Sequence, residues 1–177
     1  TATSGLPVTF ELLEGPATLD ANNVLTLTGE GGIVKVKASQ SGDDEWQAAP
    51  AVTRTFEVID PDDYTPEITL RRPYDGTMVY LSDLNSPIML VLSAYIEHGD
   101  AIKFESVTCE VGGETVELST SYPDDPTNGY WYASWQPKEY GTYNMTATIV
   151  QSGGKSTSVS NSFEVTYPLF IFIIDSI

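Results

Sequence analysis

Gly141-Thr142-Tyr143-Asn144-Met145-Thr146-Ala147-Thr148-Ile149 is the stretch that decides the fold class. Tyr143, Met145, Ala147 and Ile149 fall on one side of an extended chain. Thr142, Asn144, Thr146 and Thr148 fall on the other. A period of two, apolar against hydroxyl-bearing, is a strand with one face in a core and one in water. The same pattern spreads outward. Phe163, Val165 and Tyr167 follow the turn Ser152-Gly153-Gly154-Lys155. Upstream, Trp131, Ala133 and Trp135 share a face, as do Val107, Cys109 and Val111. Gly112-Gly113 makes a hairpin turn into Thr115–Leu118. Ile88, Leu90, Leu92, Ala94 and Ile96 line one side of a longer strand, and Ile68 and Leu70 alternate with Thr69 and Arg71.

The alternation also runs through the first third of the chain: Val8–Leu12, Val24–Thr28, Ile33–Ala38 and Arg54–Val58. Gly15-Pro16, Asn22-Asn23 and Gly29-Glu30-Gly31-Gly32 separate these runs with turn chemistry. No segment of helical length carries a helical period. Short strands between regular turn signals predict an all-β sandwich or barrel. Between the two sets lies Asp60-Pro61-Asp62-Asp63-Tyr64-Thr65-Pro66, whose prolines cannot extend a ladder. The set ends echo each other, Phe56-Glu57-Val58-Ile59-Asp60-Pro61 against Phe163-Glu164-Val165-Thr166-Tyr167-Pro168. The expected organisation is a first module over residues 1–60, a linker at 61–66, a second sandwich over 67–167, and an apolar tail over 168–177. That tail contains Leu169–Ile174, six apolar residues in a row, and reads as a strand buried on both faces or as the start of a further module.

Composition narrows the function classes. The 177 residues carry 8 basic and 25 acidic side chains, a formal charge of −17. Phosphate backbones and anionic membrane surfaces would be repelled, so nucleic acid is not expected as a partner, and no run of about 20 apolar residues exists for membrane insertion. The charge is shared between the modules: 3 basic against 11 acidic groups over residues 1–63, and 5 against 14 beyond. Ten Tyr, six Phe and three Trp supply a core. One Cys excludes an internal disulfide framework, and one His leaves little for a catalytic system built on imidazole. The chain opens Thr1-Ala2-Thr3-Ser4-Gly5, with no initiator Met and no leader pattern, and is expected to be a piece of a longer protein.

Ser4-Gly5-Leu6-Pro7-Val8-Thr9-Phe10, Gly15-Pro16-Ala17, Leu25–Gly29, Val36–Asp43, Ala48-Ala49-Pro50 and Phe56-Glu57-Val58 occur in an order that resembles bacterial immunoglobulin-like repeats. Such repeats occur in large secreted and surface-attached proteins, especially of Bacteroidetes. Trp46 stands where the family usually has a smaller aromatic. The repeat normally has a further strand before Ser4-Gly5-Leu6-Pro7, so the resemblance implies a first module lacking its leading strand, with an open edge. Pro73-Tyr74-Asp75-Gly76, Ile88–Ile96, Val107, Trp135 and Gly141-Thr142-Tyr143 resemble a second bacterial immunoglobulin-like type, common beside glycosidases and in adhesins. Within that resemblance, Tyr143 fits a tyrosine corner. The implied roles are spacing, display or adhesion, with no chemistry of their own.

Three sets of residues are candidates for more. Asp60, Asp62 and Asp63, with Glu97 and Asp100 as further donors, would suit calcium, a hard cation that takes several oxygens. The competing account is a solvated acidic linker. Tyr130 and Tyr132 alternate with Trp131 and share a cluster with Trp135. The Trp pair is expected in the core, which leaves the Tyr pair exposed to stack on a sugar or a protein, with Asp124, Asp125 and Asn128 beside it. His98 reads as a polar loop residue and Cys109 as a small buried hydrophobe. The reading that follows is two tandem immunoglobulin-like β-sandwiches, non-catalytic, from a secreted or cell-surface bacterial protein. They would serve as a stiff spacer or display stalk whose partners are neighbouring domains. The alternative is a module that binds an extracellular glycan or protein through exposed aromatics of the second domain. No cofactor is expected beyond the calcium candidate.

Overall fold

A computed structural model describes residues 2–120 and 127–168. The chain divides into two compact units, Thr1–Asp63 and Tyr64–Ile177. The described residues are all-β apart from one 3-10 turn, Pro61–Asp63.

In the first unit, β1 (Thr9–Glu14), β4 (Gly32–Gln40) and β5 (Ala49–Val58) form an antiparallel sheet in the order β1-β4-β5. β2 (Ala17–Leu19) and β3 (Leu25–Leu27) form a separate ribbon. Asp20 makes the turn between them: its carboxylate accepts the Asn22 and Val24 N–H groups at 2.9 and 2.8 Å. Those two donors hold the Asp20 carboxyl below its ordinary value, the Val24 bond most. Register sorts the sheet into two faces. Lys35 and Lys37 meet Glu14 and Glu11 at 3.0 Å on one. Phe10, Leu12, Val34, Val36, Ala38, Val52, Arg54 and Phe56 share the other. Val34 is fully buried there, yet Phe10, Val52 and Phe56 remain 40–47% exposed.

β5 begins at Ala49 and passes through Pro50, five residues earlier than the alternation from Arg54 predicts. β5 pairs only with β4, and an edge strand tolerates a residue that cannot donate.

The second unit is a sandwich of two sheets. One has the order β10 (Glu114–Glu117), β9 (Phe104–Val111), β13 (Gly141–Gln151), β14 (Ser156–Thr166), β7 (Thr77–Tyr80). The other has the order β11 (Ser119–Thr120), β12 (Asn128–Trp135), β8 (Ile88–Tyr95), β6 (Glu67–Arg72). This is immunoglobulin strand order, with the first strand split between the sheets as β6 and β7. Every pairing is antiparallel except β7 with β14. β2, β7 and β11 were not expected from the sequence, being too short to show alternation, and β14 starts earlier than Phe163. Leu90, Leu92, Met145, Ile149 and Phe163 are at most 1% exposed between the sheets.

Candidate functional site

β12 carries the aromatic cluster, and its pleat separates the rings. Trp131 and Trp135 point into the sandwich, 8% and 4% exposed. The Trp135 ring packs edge-on against Tyr143 at 4.8 Å and Phe163 at 6.2 Å. Its indole N–H donates to Glu114 at 3.2 Å, and Glu114 also pairs with Lys138. That ammonium lowers the Glu114 carboxyl below its ordinary value, and the carboxylate raises Lys138 in return. The Tyr143 hydroxyl donates to the Glu139 carbonyl at 2.8 Å and accepts the Glu139 N–H at 3.3 Å. This bond back to backbone four residues upstream is tyrosine-corner geometry.

Tyr130 and Tyr132 stand on the opposite, outer side of β12, their centroids 6.4 Å apart and their planes 33° from each other. Tyr130 is 45% exposed. Register gives them neighbours. Tyr130 lies across from Ser93 of β8, and Ser93 across from Thr69 of β6. Tyr132 lies across from Val91, and Val91 across from Arg72. The β6 ladder is irregular between Leu70 and Arg72, a one-residue bulge that leaves Arg71 as the extra residue. Both guanidinium-bearing residues therefore border the tyrosine face. Arg71 donates from Nε to the Ser93 hydroxyl at 2.9 Å. A shallow hollow of about 470 Å³ is lined by Arg71, Arg72, Tyr74, Met89, Val91, Tyr130 and Tyr132. The sequence singles out the tyrosines as candidates and not the arginines that border them. The available signal was Arg71-Arg72, the one adjacent pair of basic residues in the chain.

The acidic residues are arranged differently. Asp62 and Asp63 lie in the 3-10 turn and Asp60 directly precedes it; Asp60 Oδ1 accepts the Asp62 N–H at 2.9 Å and its carbonyl accepts the Asp63 N–H at 3.2 Å. Among the described residues no three His, Cys, Asp or Glu side chains come together as a metal site. Asp124 and Asp125 lie outside the described residues, and Asn128 opens β12 opposite Tyr95. His98 sits in a turn with φ of 57° and meets the Tyr64 ring edge-on at 4.8 Å. Cys109 is buried in β9, and that burial pushes its thiol up to about 12. A thiol held protonated at neutral pH is a packing residue, since the thiolate is the nucleophile.

No protein-family model matches the chain, and no curated protein sequence matches it. Several solved structures are similar in fold. Domains 4 and 5 of the S-layer protein SbsC cover 93% of this chain and 74% of their own at 16% identity, TM-score 0.47. A fibronectin(III)-like module of Clostridium thermocellum CbhA covers 59% of this chain and 100% of its own at 17% identity, TM-score 0.42. An engineered protein is 26% identical over 58% of this chain, TM-score 0.43, and the match spans a fifth of that protein's length. No helix among the described residues is long and apolar enough to cross a membrane.

Proposed function

We propose that this chain is a non-catalytic, load-bearing module pair of a secreted or cell-surface bacterial protein, holding neighbouring domains apart. One observation carries the reading: β7, near the start of the second unit, pairs in parallel with β14, its last strand among the described residues, over Thr77–Tyr80 and Phe163–Thr166. Tension entering before β7 and leaving after β14 pulls two parallel neighbours along their lengths in opposite directions. The bonds between them are then loaded together rather than one at a time. Further bonds lengthen the clamp. Gly76 donates to Ser162 at 2.7 Å and Leu81 to Thr166 at 3.0 Å. Asp75 accepts the Ser162 N–H at 3.0 Å, and Asn161 donates to the Pro73 carbonyl at 2.8 Å. The resemblance of residues 1–59 to repeats of surface proteins supports the same role, and so does a linker with prolines at 61 and 66.

Single-molecule stretching of the intact chain tests it. Met78→Pro and Val79→Pro together span both backbone orientations, so one of them removes an N–H that faces β14. That variant is expected to unfold at clearly lower force than the parent. Unchanged force in both would remove the clamp.

The first unit fits this reading as an incomplete module. Its sheet ends in a ten-residue strand bonded on one side only, above a face that leaves Phe10, Val52 and Phe56 part-exposed. A further strand on β5 would cover both. Amide exchange checks this: Ala49–Val58 should exchange much faster than Gly141–Gln151, and equal protection would show that β5 needs no neighbour.

A second reading rests on the outer face of β12, where Tyr130 is exposed and Tyr132, half-buried, lies beside it. Exposed aromatics on a rigid sheet suit adhesion to a glycan or protein.

A further inference from the structure

We propose that the outer face of the β6–β8–β12 sheet binds an acidic glycan, a uronate polymer. Tyr130 and Tyr132 would stack on its rings while Arg71 and Arg72 pair with its carboxylates. The inference rests on the second reading above and adds the ligand's charge and class. In a chain of net charge −17 two of the eight basic residues are adjacent, and the bulge in β6 sets both beside the tyrosines. The other basic groups of this unit are otherwise engaged. Lys138 pairs with Glu114, Lys103 donates to the Gly99 carbonyl at 2.6 Å, and Lys155 donates to the Tyr64 carbonyl at 3.0 Å. Among the described residues neither guanidinium has a carboxylate partner. Arg71 is oriented by Ser93 through Nε, which leaves its terminal nitrogens for a ligand. A guanidinium presents a planar fork that matches a carboxylate in bidentate fashion. At physiological salt the Debye length is about 8 Å, so distant carboxylates on this protein weigh little against a contact made here.

The face also favours a sugar over a peptide strand. A ligand lying across the tyrosines meets β8 and β12, interior strands whose backbone groups are already paired in the ladder, while the free edge of this sheet is β6, to one side. Recognition must come from side chains. Thr69, Ser93, Asn128 and Glu67 line the adjoining hollow beside Tyr95 and Tyr130, bringing hydroxyl, amide and carboxylate groups suited to sugar hydroxyls. Both hollows are open and shallow, which suits a polymer lying across the sheet.

The probes are polygalacturonate, the same polymer with its carboxylates methyl-esterified, and polyglutamate, titrated calorimetrically against the intact chain. Variants are Arg71→Gln/Arg72→Gln and Tyr130→Ala/Tyr132→Ala, each first checked for an unchanged melting temperature. Polygalacturonate should bind, and the esterified polymer should bind at least about tenfold more weakly, a difference of roughly 1.4 kcal/mol. The arginine variant should lose the preference for the charged polymer, and the tyrosine variant should weaken both. Equal binding of the two polymers would overturn the charged-ligand inference and leave the aromatic-face reading standing. Polyglutamate binding as tightly as polygalacturonate would overturn the glycan in favour of an acidic peptide. No binding of any probe, or binding that both variants leave intact, would overturn the inference and the aromatic-face reading together.

Discussion

At the scale of the residue, the outcome turns on which side of a strand each ring occupies. Alternation across Tyr130, Trp131, Tyr132 and Trp135 separates two rings that pack in the core from two on the outer face, of which Tyr130 is exposed and Tyr132 half-buried. It does so because a pleated backbone has a side-chain period of two and nothing else to choose. Tyr143 was legible for the same reason, together with the Gly141 before it. Its hydroxyl makes two bonds to Glu139, one given and one accepted. Tyr143→Phe keeps the ring against Trp135 and strands both backbone partners. It should cost about 1–2 kcal/mol in urea unfolding. A loss near zero would show that the corner contributes packing alone. The arginines were not legible as part of the tyrosine face. A strict period of two puts Arg71 and Arg72 on opposite sides of a strand, and only the bulge sets both against the same neighbour.

At the scale of the element, long strands announced themselves and short ones did not. β8 and β13 alternate over enough residues for a pattern to stand out, whereas β2 and β11 hold three and two residues. Their pairing is decided by partners far away in the chain. The β9–β10 hairpin shows how a turn sets packing as well as direction. Gly112 and Gly113 both adopt left-handed backbone, φ 58° and 76°. A Cβ on Gly112 would sit 2.7 Å from Trp135 Cζ2 and 3.3 Å from Tyr143 Cε1, while one on Gly113 meets nothing within 4 Å. Gly113→Ala should therefore cost roughly 1–2 kcal/mol from backbone strain alone. Gly112→Ala should cost about 1–3 kcal/mol more, because the core aromatics must move. Chemical denaturation of the two variants separates the terms. Equal losses would mean that the turn stands clear of the core. β5 is the opposite case. Its alternation is clear in the sequence from Arg54 onward, but no pattern could say that Val52 and Phe56 stay part-exposed, since burial depends on what else arrives.

At the scale of the whole molecule, the sequence carried the all-β class and the acidity, and left the mechanics unwritten. The feature that most bears on the proposed function is the parallel contact between β7 and β14, a relation between segments more than 80 residues apart. Local patterning does not encode such a partner. Loop lengths, the split of the first strand and closure of both sheets around one core bring it about. The acidic composition suits a repetitive β protein that must stay soluble and keep its open edges from pairing.

The central claim is that the second unit is built to resist force along its own chain. It is tested most directly by pulling the same molecule in two directions. In one arrangement, handles at residues 64 and 168 load β7 and β14 in shear. In the other, handles at Ser82 and Tyr167, just past the same ends of the two parallel strands, peel them apart bond by bond. The account predicts a much higher unfolding force in the first arrangement than in the second. Equal forces would contradict it, and would leave the β7–β14 pairing as a matter of fold rather than of function.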